Sequence, residues 1–269
     1  KDTGMLDMST LGPMGRSVDD LALLLPVVAG PDDLDPLVAS VPIGDRRSVD
    51  VSSLRVGFYA DDGAAPPTPG TRDAVERAAQ ALADAGADVE RAAPPPLDDV
   101  VDIAFGMMAA DGGAKARADL AAAGGRHTQQ LARLLEGLEP SALSAAEFFA
   151  LMRRWIALRA ELRRFVGRYD VVVCPVAAGP APLHGRRPSD DRELTDYREF
   201  GYSFAHAIGG VPGAVVPAGA ERDLPIGVQV VSGPYRDHVA LAAAAVLEEA
   251  LAGAAPGRPA LAGPAGGGA

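Results

Sequence analysis

The residues able to do chemistry in this 269-residue chain are few and scattered. Lysine occurs only at Lys1 and Lys115. The four histidines, His127, His184, His206 and His238, show no metal-ligand spacing, and one cysteine cannot complete a zinc set, so no metal site is expected. Cys174 lies in the apolar run VVVCP, where a buried, inert thiol is expected rather than a nucleophile. No GxGxxG follows a strand and no Walker A loop occurs, so no nucleotide cofactor is expected. Ser52 and Ser53 are adjacent but stand among Val and Leu, before a strand and without flanking glycine. Asp190 and Asp191 fall in a charged loop and read as solvated surface.

Charge narrows the partners. Twenty-five basic against 36 acidic residues give a net charge of −11, which opposes phosphate backbones and anionic membranes. No apolar run approaches the roughly 20 residues of a membrane span, so neither nucleic acid nor membrane is an expected partner. A lone cysteine excludes an intrachain disulfide, and the simplest compartment is cytoplasmic. The chain opens on Lys1 in what reads as mid-loop, as a truncated or processed chain would.

The elements that would position these residues follow from pattern. Ser17 with Asp20 three residues on predicts a helix N-terminus, and Leu21, Leu24, Leu25 and Val28 lie on one face of that helix. Pro26 within it predicts a kink or an early end. Residues 54–60 read as a strand, 71–85 as a helix and Val89 as a second strand, together a βαβ unit that favours a parallel sheet. Helices are expected near 97–122, 127–137 and 144–167, the last burying Leu151, Trp155, Leu158, Leu162 and Phe165. Residues 170–175 are a strand buried on both faces. A long loop over 176–196, a helix over 197–208, paired strands at 213–219 and 225–233 and a helix from Asp237 to about Leu251 complete the pattern. The tail from 253 reads as disordered. The fold class is α/β, a mixed sheet flanked by helices.

Three stretches, in this order and with these gaps, resemble the amidase-signature hydrolases. They are LGPMGRSVDDLALLLPVVAGPDDLDP (11–36), RYDVVVCPVAAGPAP (168–182), and FAHAIGGVPGAVVPAG (204–219) followed by LPIGVQVVSGPYRD (224–237). The Ala-rich middle, 97–165, carries little of the likeness. The resemblance implies hydrolysis of a carboxamide C–N bond by a Ser nucleophile, a second Ser held in a cis peptide and a proton-relaying Lys, without metal or cofactor. It also implies one domain over residues 1–252 that is incomplete at its N-terminal side, a small-molecule amide as substrate, and the possibility of a homodimer. None of the triad can be placed on this sequence. Neither Lys1 nor Lys115 stands at a matching position, and the Gly/Ser-rich nucleophile loop is missing. Because residues 11–36 match what normally follows the catalytic core, the triad is expected upstream of Lys1.

What the resemblance leaves to this chain is the wall of a substrate pocket. The candidates are Phe105 and Met108 in the middle helices, and Tyr202 and His206 before the GGVP turn. His206 is open to two readings, a core histidine or a pocket ligand, and Gln229 either points into the site or satisfies backbone groups. Where the family often has Asn before the Gly-x-Pro turn, Ala207 stands here. Arg16 is expected to pair with Asp19 or Asp20. Two other classes of function remain beside the amidase: a non-catalytic fragment or partner subunit, and an unrelated α/β binding domain. The last requires that the strands at 54–60, 170–174 and 226–232 not share a sheet.

Overall fold

The computed structural model describes residues 10–32, 38–122, 124–125, 127–181 and 194–254. Lys1, His184, Asp190, Asp191 and the tail beyond residue 254 lie outside them.

A five-stranded mixed sheet organises the chain, in the order β2-β1-β3-β5-β4. β1 (Arg55–Phe58), helix α2 (Pro69–Asp84) and β2 (Asp88–Arg91) form the expected βαβ unit, with β1 and β2 parallel. β3 (Val171–Pro175) pairs parallel to β1 on one side and antiparallel to β5 (Leu224–Ser232) on the other. β4 (Gly213–Glu221) closes the order as an antiparallel hairpin with β5. Its turn residues, Arg222 and Asp223, both have positive φ (53° and 62°), the backbone that matches the twist of a tight hairpin. The strands predicted at 54–60, 170–174 and 226–232 therefore share one sheet, which removes the case for an unrelated binding domain.

β3 shows why the sheet is the centre of the molecule. All five of its residues are buried. Val171 and Val173 enter a core built with α2 and α8 (Asp237–Ala250), while Val172 and Cys174 enter a second core on the other face with Phe165, Val166 and Tyr202. A strand covered on both sides needs no polar alternation, which is what VVVC displays.

The helical middle packs as a third cluster. The single helix expected over 97–122 is two, α3 (Val100–Ala109) and α4 (Ala114–Ala122), separated where Gly112 and Gly113 take φ of +62° and +79°. α5 spans Gln129–Leu138 and α6 spans Ala145–Val166. A capping box of Ser144 and Glu147 starts α6, and Leu151, Trp155, Leu158, Leu162 and Phe165 are its buried face, as expected. The segment expected as one helix over 197–208 is a 3-10 turn over Leu194–Phe200 followed by α7 (Gly201–Gly209).

α1 (Val18–Val28) begins with the expected Ser17–Asp20 capping box, and Pro26 neither kinks it short nor stops it before Val28. Its burial differs from expectation. Leu21, Ala22 and Leu25 pack on the core, whereas Leu24 and Val28 face outward with Leu23 and Val27. α1 rests chiefly on α8, so only a narrow stripe of an all-round apolar helix is covered. The Arg16 pairing is also corrected. Arg46 and Arg47 take the Asp19 carboxylate, and Asp20 accepts the backbone N–H groups of Arg16 and Ser17.

Candidate functional site

In parallel α/β sheets, ligand sites form beyond the carboxyl ends of the strands. Here the carboxyl ends of β1 and β3 open onto the segments 59–68 and 176–181. Those segments are tied together and to the start of α7. The Thr68 N–H donates to Ala178 O (2.7 Å), and the Ala178 N–H donates to Glu199 O (2.8 Å).

Beneath these segments lies a buried polar cluster. The Tyr59 hydroxyl sits 3.2 Å from His206 Nε2, and Cys174 Sγ sits 3.3 Å from the same nitrogen. Tyr59 also stacks on Tyr202 at 6.5 Å between ring centroids. The Tyr202 hydroxyl donates to Ala65 O (2.7 Å), pinning the 59–65 segment to α7. Gln229 Nε2 donates to Pro175 O (2.7 Å) and Tyr202 O (3.0 Å), so of its two readings the amide satisfies backbone groups.

The cluster is held neutral. Burial pushes the Cys174 thiol up to about 12 and the His206 imidazole down to about 4, and it raises Tyr59 well above the usual phenol value. Near neutral pH the pair is thus a thiol and an uncharged imidazole, without the thiolate that a cysteine nucleophile needs. Asp62 borders the cluster. Its Oδ1 accepts the Ala64 and Ala65 N–H groups, and burial raises its carboxyl. Its Oδ2 is buried without a hydrogen-bond partner among the described residues, and it faces Gly201 at the start of α7.

The four residues singled out from sequence fall into two groups. Tyr202 and His206 share α7 and point into the buried cluster, where His206 is 3% exposed. Phe105 and Met108 lie on α3. Phe105 meets Tyr197 (4.5 Å between ring centroids) and Phe204 (5.8 Å), forming an aromatic wall between α3 and α7. Met108 is 44% exposed, one turn further along α3. Asp62 and Tyr59 were not singled out from sequence. The signal available was the pair Asp61-Asp62 directly after a strand, at the end of the sheet where sites form.

Outside this region, an open groove of about 560 Å³ is lined by Asp19, Leu23 and Pro26 of α1, residues 43–47 and Leu241 of α8. It shares no residue with the cluster and belongs to the uncovered side of α1. Lys115 lies on α4 within 2.8 Å of the Asp119 carboxylate, on an exposed helix face. Ser52 and Ser53 sit in a 3-10 turn capped by Asp50. Among the described residues, no group of three or more His, Cys, Asp and Glu side chains forms a metal-binding cluster, and no helix is long and apolar enough to cross a membrane.

Comparison with known proteins agrees on one family. The model of the family described as Amidase matches residues 5–241. A glutamyl-tRNA(Gln) amidotransferase subunit of Thermus thermophilus is 30% identical over 268 residues, covering 91% of this chain and 56% of the relative. The indoleacetamide hydrolase of Bradyrhizobium japonicum is 29% identical, covering 90% of this chain and 52% of its own. Among solved structures, a 6-aminohexanoate cyclic dimer hydrolase superposes with a TM-score of 0.74 at 24% identity, covering 88% of this chain and 54% of that one. A bacterial aryl acylamidase of the amidase-signature enzymes superposes with a TM-score of 0.73 at 22% identity, covering 93% and 55%. The chain thus spans about half the length of the curated relatives it matches.

Proposed function

The chain belongs to the amidase family, and from that premise we propose that it is the scaffold and pocket-wall part of an enzyme that hydrolyses a carboxamide C–N bond. In this reading a Ser nucleophile, a cis-peptide Ser and a Lys act from polypeptide outside these 269 residues. The observation that carries it is a mismatch. The family match runs along most of this chain, yet the chain spans about half of its relatives, and its own serine and lysine candidates stand on exposed turns and helices.

In this reading the four candidates have distinct parts. Phe105, braced by Tyr197 and Phe204, offers an aromatic wall, with Met108 as its exposed lip. Tyr202 and His206 act from behind, holding α7 and the 59–65 segment in place. Residues 1–252 work as one unit, with no cofactor or metal.

The test joins this chain to the upstream half of the aryl acylamidase and measures ammonia or amine release from simple carboxamides. Turnover is expected from the joined protein only, with a serine-directed fluorophosphonate labelling the upstream part. Serine-dependent turnover from the 269 residues alone would sink the proposal. A second reading, a component that acts only in an assembly, is favoured by the relatives named as amidotransferase subunits. Restored activity with the upstream half but no further protein counts against it.

A further inference from the structure

The buried carboxyl of Asp62 is only half served. Its Oδ1 accepts the Ala64 and Ala65 N–H groups (2.9 and 3.0 Å), which fixes the carboxyl and holds Oδ2 pointing the other way. Oδ2 has no hydrogen-bond partner, and Asp62 is in no ion pair among the described residues. The adjacent Asp61 does have a cation, Arg72 at 3.4 Å. A buried carboxylate oxygen without a donor is costly, and its presence calls for a group that supplies one. In front of Oδ2 stands Gly201, the first residue of α7. Outside its own helix and chain neighbours, a Cβ on Gly201 would meet nothing closer than Asp62 Oδ2 and Val101 Cγ2, both at 3.8 Å. A methyl-sized space therefore lies between the carboxyl, α3 and α7. Val101 and Phe105 are four apart on α3, and Gly201 and Phe204 three apart on α7, so this space lies one helical turn from the Phe105–Phe204 contact. Both rings are half-buried, and Met108, on the same face of α3, is exposed. One seam thus runs from the surface at Met108, past the aromatic wall, to the carboxyl.

We propose that Asp62 determines specificity by binding a primary ammonium group in the space at Gly201, and that the substrate is a carboxamide joined to that ammonium through an apolar or aromatic body. The carboxamide rests on the amidase reading, whereas the ammonium rests on Asp62 and Gly201 alone. A hydroxyl or an amide N–H can donate to Oδ2, but only a cation also compensates the buried charge. The space takes a group the size of a methyl, which an –NH3+ is and a broad, planar guanidinium is not. Burial alone raises the Asp62 carboxyl, and an ammonium at Oδ2 favours its ionised form, so binding and ionisation reinforce each other. The hydrocarbon body lies against Phe105 and Phe204, where its burial adds to the contact. With the amide at the exposed end near Met108, the two reacting and binding groups stand about 10 Å apart, the rise of α3 from Val101 to Met108.

The experiment titrates the full 269-residue chain with phenethylammonium and with its neutral analogue 2-phenylethanol, followed by ligand-observed NMR at neutral pH. Wild type should bind the cation about tenfold more tightly than the alcohol, the scale of a charge-assisted hydrogen bond. Asp62→Asn keeps an oxygen for the Ala64 and Ala65 N–H groups, so it should fold, and it should bind the two ligands equally. Gly201→Ser fills the space while leaving the carboxylate in place, and it should lose the preference for the cation. Phe105→Ala should weaken both ligands several-fold and keep their ratio. The proposal is overturned by a wild type that does not bind the cation, by equal binding of cation and alcohol, or by a preference that survives Asp62→Asn. A preference that survives Gly201→Ser overturns the placement at Gly201. These titrations need no turnover, so they stand apart from the amidase reading, which a joined protein without activity would remove by itself. Where the joined protein does turn over, phenethylammonium should raise KM without changing kcat, and an unchanged KM overturns the link to the substrate.

Discussion

The polar cluster around Tyr202 and the outer face of α1 are opposites in one respect. The cluster gathers polar groups from four distant parts of the chain and closes over them. α1 gathers aliphatic side chains from one short segment and leaves half of them in water, Leu23 and Val27 being 73% and 79% exposed. A buried hydroxyl or amide without a partner is costly. The cluster meets most of that cost from within the chain, serving the Tyr59 and Tyr202 hydroxyls and the Gln229 amide, while Asp62 Oδ2 and His206 Nδ1 lack a partner among the described residues. Exposed leucines cost little individually, but a contiguous stripe of them is a surface prone to association. The difference separates what this chain completes alone from what it leaves open.

The closed region should break hardest. Tyr202 is fully buried, stacks on Tyr59 and pins Ala65. Tyr202→Ala should cost about 3–5 kcal/mol of unfolding free energy, through the cavity and the Ala65 carbonyl left unserved. Tyr202→Phe should cost only about 1–3 kcal/mol. Urea unfolding measures both. Equal costs would mean that the hydroxyl carries the whole effect and the packing of the ring adds nothing; a cost near zero for Tyr202→Phe would mean that packing alone holds the cluster together.

His206 gives the next effect. In the unfolded chain it takes a proton near its ordinary value of about 6.5, but in the fold only near 4. Between those values the unfolded state binds more protons, so stability rises with pH across the window and is lost as pH falls through it. The loss attributable to His206 is on the order of 3 kcal/mol. Asp62, with its carboxyl raised by burial, works in the opposite sense, since there the folded state binds the proton more tightly than the unfolded chain. The measurement is the difference in urea midpoint between wild type and His206→Gln, near pH 7 and near pH 4.5. A difference that does not change with pH would remove the histidine from the acid sensitivity.

These two regions were also unequally legible in the sequence. The sheet was readable because its signals are local. VVVC is continuously apolar, ERDL joins two strands by a tight turn, and Ser17 with Asp20 announces a capping box that the structure contains. The cluster was not, because its members are remote. Tyr59 and His206 are 147 residues apart, and no spacing rule connects them. Tyr202 and His206 were reached through the family resemblance, which named the segment but not the direction in which the side chains point. The break at Gly112-Gly113 was missed because a run rich in alanine has no strong periodicity to interrupt. On α1 the pattern failed for a different reason. An all-round apolar helix reads as wholly buried, and periodicity cannot say which of Leu21, Leu24, Leu25 and Val28 will face a neighbour.

A smaller effect tests how α1 is fastened to the rest of the fold. The Val18 N–H donates to both oxygens of the Glu248 carboxylate (3.1 and 3.0 Å), fastening the start of α1 to α8. Glu248→Ala leaves that N–H unserved and should cost about 1–2 kcal/mol. Amide hydrogen exchange locates the loss. Residues 18–25 should exchange faster while β3 and β5 keep their protection. Faster exchange throughout would show α1 to be part of the cooperative core rather than an attachment to it.

The smallest change in stability is expected on the open face itself. Leu23→Glu with Val27→Glu places two carboxylates where the side chains already stand in water, so the unfolding free energy should move by no more than about 0.5 kcal/mol. The same pair should change association strongly. At high protein concentration, light scattering from wild type should show a growing aggregate fraction that the double variant lacks. When the chain is joined to the upstream half of a relative, the effect should reverse, because the carboxylates would then be buried against apolar neighbours and the joined protein should be destabilised by several kcal/mol. Equal behaviour of the variant alone and joined would mean that no polypeptide covers α1, and the contrast between a closed and an open region would lose its functional meaning.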